Sequence, residues 1–417
     1  MSYATKLLPL LLLLCVSTLH AKIDSLVMGP QYANQVWYSL SSGVHTTSLQ
    51  SNWDIAFEVT STSGTTASVI VNEGKGAKVY VVPDATIEDW ETIDTTGLST
   101  WTPLHNSVTT LSDGALNQAR DANNEFDFGW GAYSLVSHQI LGTNVFVYQN
   151  AEVTFKLRVD GLIGGAYQFT YSHLDGSNEH SGEIAKASYA NKLFAYWSFD
   201  NHAAVDREPA LTDWDFTMLK YVDMIPAGPG TVMAYPVTGI LTSPLAKAAK
   251  VITATPSTEP APASELLLPD ANTIGWDWKS FANGTFAVAD STVYFVLSSN
   301  NLYRLVFTSF SGGSSGVTTF SVDAVQPSSV SSNSSSSARL AVYPNVVTNG
   351  ASVDIASAVE GACTLLVVDA LGHVVHTRLV ESGLSAMSLT TTGLASGTYS
   401  VILQSDRTIT TARLVVL

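Results

Sequence analysis

Cysteine is almost missing from this chain: Cys15 and Cys363 are the only two in 417 residues. Cys15 lies in the first apolar segment, so the body of the chain retains Cys363 alone, forms no internal disulfide and must hold together by packing. Charge is scarce too. Asp, Glu, Lys and Arg make up 13% of residues, against a usual ~25%, which excludes a coiled coil and a charge-rich disordered protein. Positive charge is scarcest: 19 Lys and Arg face 35 Asp and Glu, a net charge of −16. That balance excludes nucleic-acid binding by phosphate neutralisation. No apolar run reaches the ~20 residues of a membrane helix, so no transmembrane segment is expected in the mature chain. Zinc-ligand spacings, phosphate loops and dinucleotide fingerprints are absent, and nothing specific points to an enzyme.

At the start, Lys6 precedes the apolar run from Leu7 to Leu14, and the segment ends at the small residue Ala21. This predicts a secretory signal peptide over residues 1–21. Leu14 before Cys15 is not the small residue that a lipoprotein cleavage site prefers. Near the other end, eight of the ten residues 328–337 are Ser, a flexible linker. The expected layout is the signal peptide, a passenger in two domains at 22–190 and 191–325, a linker at 326–338 and a nearly neutral tail at 339–417. The division of the passenger comes from an internal repeat. VWYSLSSGVHTTSLQSNWDIAFEV at 36–59 parallels AYWSFDNHAAVDREPALTDWDFTMLKY at 195–221, matching Trp53 and Asp54 to Trp214 and Asp215; farther on, Trp130 answers Trp276.

Within each copy, short runs alternate apolar with polar residues, as in 292–297 and 303–307, between turn clusters such as SSNN and SGGSSG. This is strand-and-hairpin patterning, and the fold class is all-β with a few short helices. The best helical stretches are 115–122 and 182–194. Trp53 and Trp214 read as core anchors. Gly312-Gly313-Ser314-Ser315-Gly316 satisfies G-x-S-x-G but is followed by a strand, so it reads as a hairpin turn. Asp121, Asn123, Glu125 and Asp127 alternate oxygen donors, yet Phe126 stands where a calcium loop needs Gly. Glu88, Asp89, Glu91 and Asp94 surround Trp90 without a basic partner.

The tail carries Tyr343-Pro344-Asn345, then LLVVDALGHVV with Asp369 and Gly372, then LTTTGLASGTYSVIL with Gly397 and Tyr399, and finally Arg413. In order and spacing it resembles the C-terminal sorting domain of the type IX secretion system, with Val346 replacing a customary second Pro. The resemblance implies an Ig-like β-sandwich, recognition by the secretion machinery and its sortase-like peptidase, and display on or release from the outer surface of a Gram-negative, Bacteroidetes-type cell. WDIAF at 53–57, WDF at 214–216 and YFV…YRLVFTSF resemble the HmuY family of β-rich haem-binding proteins. That resemblance implies haem as cofactor, an outer-membrane haem receptor as partner and two axial side chains on loops, commonly His and in some members Met. His105 and His138 are the candidates in the first copy. The second copy has no His between Trp214 and the linker and offers Met218, Met224 and Met233; Met224 and Met233 fall in the loop DMIPAGPGTVM. His173 and His180 are expected to face solvent. The alternative function is a structural or adhesive surface protein that keeps the fold without haem.

Overall fold

A computed structural model describes residues 21–62, 67–325, 340–357, 363–369, 373–380, 386–404 and 409–417. Residues 1–20 of the signal peptide expected at 1–21, the linker at 326–338 and Gly372 lie outside them. The chain divides into two compact units, Met1–Ser328 and Ser329–Leu417. Strands dominate both, and the longest helix among the described residues is the five-residue 3-10 turn Ala115–Ala119. The chain is all-β. The helical pattern expected at 182–194 is instead the strand His180–Ala185, a 3-10 turn at Lys186–Tyr189 and the start of Phe194–Ser198. Pairing with Ala166–His173 overrides local propensity there.

Two principal cores form in the first unit. One gathers residues between Ile55 and Phe199, among them Phe57, Trp130, Tyr148, Phe169 and Trp197. The other joins Leu26, Met28, Val36 and Tyr38 from the N-terminal stretch to Phe216, Trp278, Tyr294, Phe307 and Phe320. Burying each such side chain contributes roughly 1.5–3 kcal/mol. Strand pairing crosses the 190/191 boundary in both directions. Asn34–Tyr38, from the first copy, pairs with Phe216–Gly228 of the second, and Phe194–Ser198 of the second pairs with Ile55–Glu58 of the first. Lys22–Val27 closes the edge of a five-stranded sheet beside Val317–Val325.

The repeat reappears in the hydrogen bonds of its two Trp-Asp pairs. The Asp54 amide donates to Trp197 O (2.8 Å), its carboxylate accepts the Phe199 amide (2.7 Å), and its carbonyl accepts the Asn72 amide (2.9 Å). At Asp215 the same three bonds go to Tyr38 O (2.8 Å), the Leu40 amide (2.6 Å) and the Ser243 amide (2.8 Å). Each carboxylate pins the strand that arrives from the other copy. Trp53 and Trp214 are buried with Trp37 and Tyr196 in one small cluster, as core anchors should be. The second sequence match diverges in space. Trp130 is fully buried and donates to Ala67 O (2.9 Å), whereas its counterpart Trp276 is only partly buried and Trp278 fills the second core, stacked on Phe307.

In the second unit, a three-stranded sheet (Leu340–Tyr343, Ser352–Ser357, Ala386–Thr390) and a five-stranded sheet (Val346–Val347, Ile409–Val416, Gly397–Gln404, Cys363–Val368, Val374–Val380) enclose a shared core of Val353, Ile355, Leu365, Val401 and Leu414. This is a β-sandwich. The sorting motif occupies its joints. Asn345 O accepts the Val415 amide (2.8 Å), Asp369 accepts the His373 amide (2.8 Å), and the buried Tyr399 donates to Ala395 O (2.7 Å). Tyr343 and Arg413 are exposed, and Gly397 opens the strand that pairs with the Arg413 strand. Cys363 is a buried free thiol, and burial pushes its pKa up.

Candidate functional site

The stretch expected to be a Pro/Gly-rich loop around Met224 and Met233 is a long hairpin, Phe216–Gly228 paired with Thr231–Thr242. Its base is locked by Gly239: a side chain there would meet Gly275 O at 2.6 Å. Beyond the base, the hairpin extends as an arm whose Met224 and Met233 are 52% and 46% exposed. Met224 stands opposite Ala234, and Met233 opposite Ile225. Because successive residues of a strand point to opposite faces, the two thioethers lie on opposite sides of the arm. Met218, deeper in the same strand, is fully buried and its sulfur accepts from the Thr318 hydroxyl at 3.4 Å.

The Met224 side of the arm faces His105. Both line an open cleft of about 260 Å³, with Val108, Asp113, Gln118 and Val222. His105 is oriented from behind: its Nδ1 lies 2.7 Å from Glu73 Oε1, and Glu73 also accepts from Asn106 Nδ2 (3.0 Å). Asn106 in turn accepts the Val71 and Ala115 amides (3.1 and 3.0 Å), which fixes the segment. Burial raises the Glu73 carboxyl above its ordinary range against the opposing pull of His105. An imidazole whose Nδ1 proton is held by a carboxylate presents a bare Nε2, the arrangement typical of a metal-ligating His. His105 Nε2 has no protein partner among the described residues. Sequence reasoning found His105 and Met224 but missed Glu73 and Asn106, since 32 residues separate Glu73 from His105 and no spacing rule joins them.

His138 is placed elsewhere, at the turn between Gly131–Ser134 and Gln139–Gly142, exposed, with φ +56° and its Nδ1 3.0 Å from the Tyr133 hydroxyl. It does not line the His105 cleft. His173 and His180, expected in solvent, are both partly covered. The His173 ring lies 5.2 Å from Phe155, and His180 stacks on His202 with centroids 3.6 Å apart, while Tyr171 holds His202 Nδ1 at 2.7 Å. Two rings face to face at that spacing cannot bind one iron axially.

Other candidates resolve into structure. Asp121 accepts from Asn123, and Asp127 accepts the Asp121 and Gly129 amides, so the alternating oxygens serve local turns. Asp89 caps the turn at Thr86, and Trp90 is buried, donating to Glu179 (2.8 Å) beneath Lys156 and Arg158. Gly312–Ser314 is a short turn between the paired strands Asn301–Phe310 and Val317–Val325. Between the Trp-Asp anchors a cavity of about 80 Å³ is lined by Trp53, Trp214, Tyr221 and Gln50 among others. The indole N–H groups, the hydroxyl and the amide oxygen of these four have no protein partner among the described residues. The space suits a few bound waters. No helix among the described residues is long and apolar enough to cross a membrane.

Comparison with solved structures finds apo PinO from Porphyromonas gingivitis, 10% identical, covering 74% of this chain and 99% of that one with a TM-score of 0.22. It also finds a fungal alcohol oxidase of the AA5 family in complex with copper, 10% identical, covering 92% and 90% with a TM-score of 0.15. At these scores neither likeness bears on fold or function. No curated protein matches the chain. Residues 341–417 match the family described as the secretion system C-terminal sorting domain. The tail is therefore a type IX sorting domain, and it marks the chain for export to the cell surface or beyond.

Proposed function

We propose that this exported chain captures haem, whose iron His105 and Met224 would hold, with an outer-membrane haem receptor as the onward partner. The observation that carries the reading is the cleft that brings an imidazole, set by Glu73, to face a thioether on the arm. His and Met together are an established haem ligand pair. The residues present fit the iron's donor set. They fit the porphyrin in part, since Val108, Val222 and Met224 supply apolar wall while Asp113, Gln118 and Asp223 are polar. Those polar walls favour the second reading, a structural or adhesive surface protein.

A hemin titration of the full chain, followed in the Soret and visible bands, decides between them. The expected result is saturable one-to-one binding with low-spin bands. His105→Ala and Met224→Ala remove those bands, Glu73→Gln weakens binding on the order of 10–100-fold as loss of an orienting partner does, and His138→Ala and Met233→Ala leave it unchanged. Absence of saturable binding would retire the haem reading in favour of the structural one.

A further inference from the structure

On the opposite side of the arm, the fold leaves aromatic surface in water. Tyr235 is 48% exposed and Phe281 64% exposed. They belong to a groove of about 520 Å³ between the arm and the small hairpin Lys279–Ala282 with Thr285–Val288. That volume is within the ~300–1,000 Å³ of small-molecule sites. The walls are set from behind: Phe281 packs on Phe286 with centroids 4.8 Å apart, and the Trp276 indole is aimed by its bond to Asp223 (3.0 Å).

Lys279 also lines this groove. It is almost wholly buried; its ammonium donates to two neutral carbonyls, Thr238 O and Trp276 O, lies over the rings of Trp278 and Phe310 (4.4 and 5.0 Å), and makes no ion pair among the described residues. Asp277, whose charge acts on Lys279, is engaged by Lys250 (2.6 Å). A buried cation without a counter-ion is costly, and an anion delivered to it is correspondingly favoured. In a chain of net charge −16, such a cation is what lets an anion approach.

We propose that this groove binds a flat aromatic acid, its ring among Tyr235, Trp276 and Phe281 and its acid group toward Lys279. The site is separate from the His105 cleft, since no residue lines both, although Asp223 at the cleft also holds Trp276 of the groove. Burial lowers the Lys279 amine to about 7, and a bound anion raises it again, so binding takes up a proton and weakens as pH rises above 7. The other charged or titratable groups around Lys279 are Asp277 with Lys250, Asp223, and the phenols of Tyr32 and Tyr235.

The test uses the full chain and two dyes, anionic 8-anilinonaphthalene-1-sulfonate and neutral Nile red, titrated at pH 6 and pH 8. The expected outcome is one anionic dye per chain, bound more tightly at pH 6. Lys279→Met should weaken it by about tenfold at pH 6 and abolish the pH difference while sparing Nile red, and Phe281→Ser should weaken both dyes. His105→Ala should change neither, which keeps this site's failure distinct from that of haem capture. Multiple weak binding, or anionic-dye affinity unchanged by Lys279→Met, would overturn the proposal.

Discussion

Asp54→Ala is expected to destabilise the first unit by about 3–5 kcal/mol, the range found when one member of a buried charged pair is removed. The carboxylate is almost fully buried and gathers three donors, Lys75 Nζ (2.8 Å), the Tyr148 hydroxyl (3.0 Å) and the Phe199 amide; Lys75 also bonds Asp200 (3.0 Å). Removing it leaves a buried hydroxyl and a buried amide without acceptors, and leaves the half-buried Lys75 ammonium with Asp200 alone. Asp215→Ala should cost less, about 2–3 kcal/mol, because its carboxylate holds only neutral donors, the Leu40 amide and the Ser298 hydroxyl. All nine Trp lie between residues 37 and 278, so urea unfolding followed by Trp fluorescence reports the first unit alone. A loss below about 1 kcal/mol for Asp54→Ala would show that the strand exchange does not depend on this carboxylate.

The two Trp-Asp anchors also show how far the sequence could be read. Trp53 with Asp54 and Trp214 with Asp215 are legible because identical neighbours recur in the same order, and alternation of apolar residues gives the strands. What each anchor holds is not legible. Asp54 binds a strand 145 residues later and Asp215 one 175 residues earlier. A repeat reveals kinship between segments, whereas pairing depends on long-range contacts that local pattern does not encode. The site divides in the same way. Residue chemistry singled out His105 and Met224, but the hairpin register decides that Met224 joins His105 and that Met233 does not. Lys279 gave no sign at all, since one Lys among aromatics reads as a solvated charge until two carbonyls and two ring faces enclose it.

The second large effect is a pH dependence centred on Glu208. This side chain is fully buried and accepts the Leu193 amide (2.7 Å) and the Tyr196 hydroxyl (2.6 Å). Its neighbour Arg207 does not neutralise it directly: the guanidinium donates to Gln35 Oε1 and Leu49 O and sits among the rings of Trp37, Trp53 and Tyr196. Burial therefore prevails and pushes the Glu208 carboxyl up to about 7. A folded-state pKa above the unfolded value means that the folded chain binds the proton more tightly. The stabilisation is complete below the unfolded pKa near 4.5 and is lost as pH rises through about 7. Integrated over that window the loss is on the order of 3 kcal/mol. Urea unfolding at pH 5 and pH 8, again by Trp fluorescence, should find the native chain less stable at the higher pH, with Glu208→Gln flattening most of that difference because the amide keeps the shape and never ionises. An equal pH difference in both proteins would mean that Glu208 stays ionised across the window, held by the Leu193 and Phe194 amides, the Tyr196 hydroxyl and the nearby guanidinium rather than protonated by its burial.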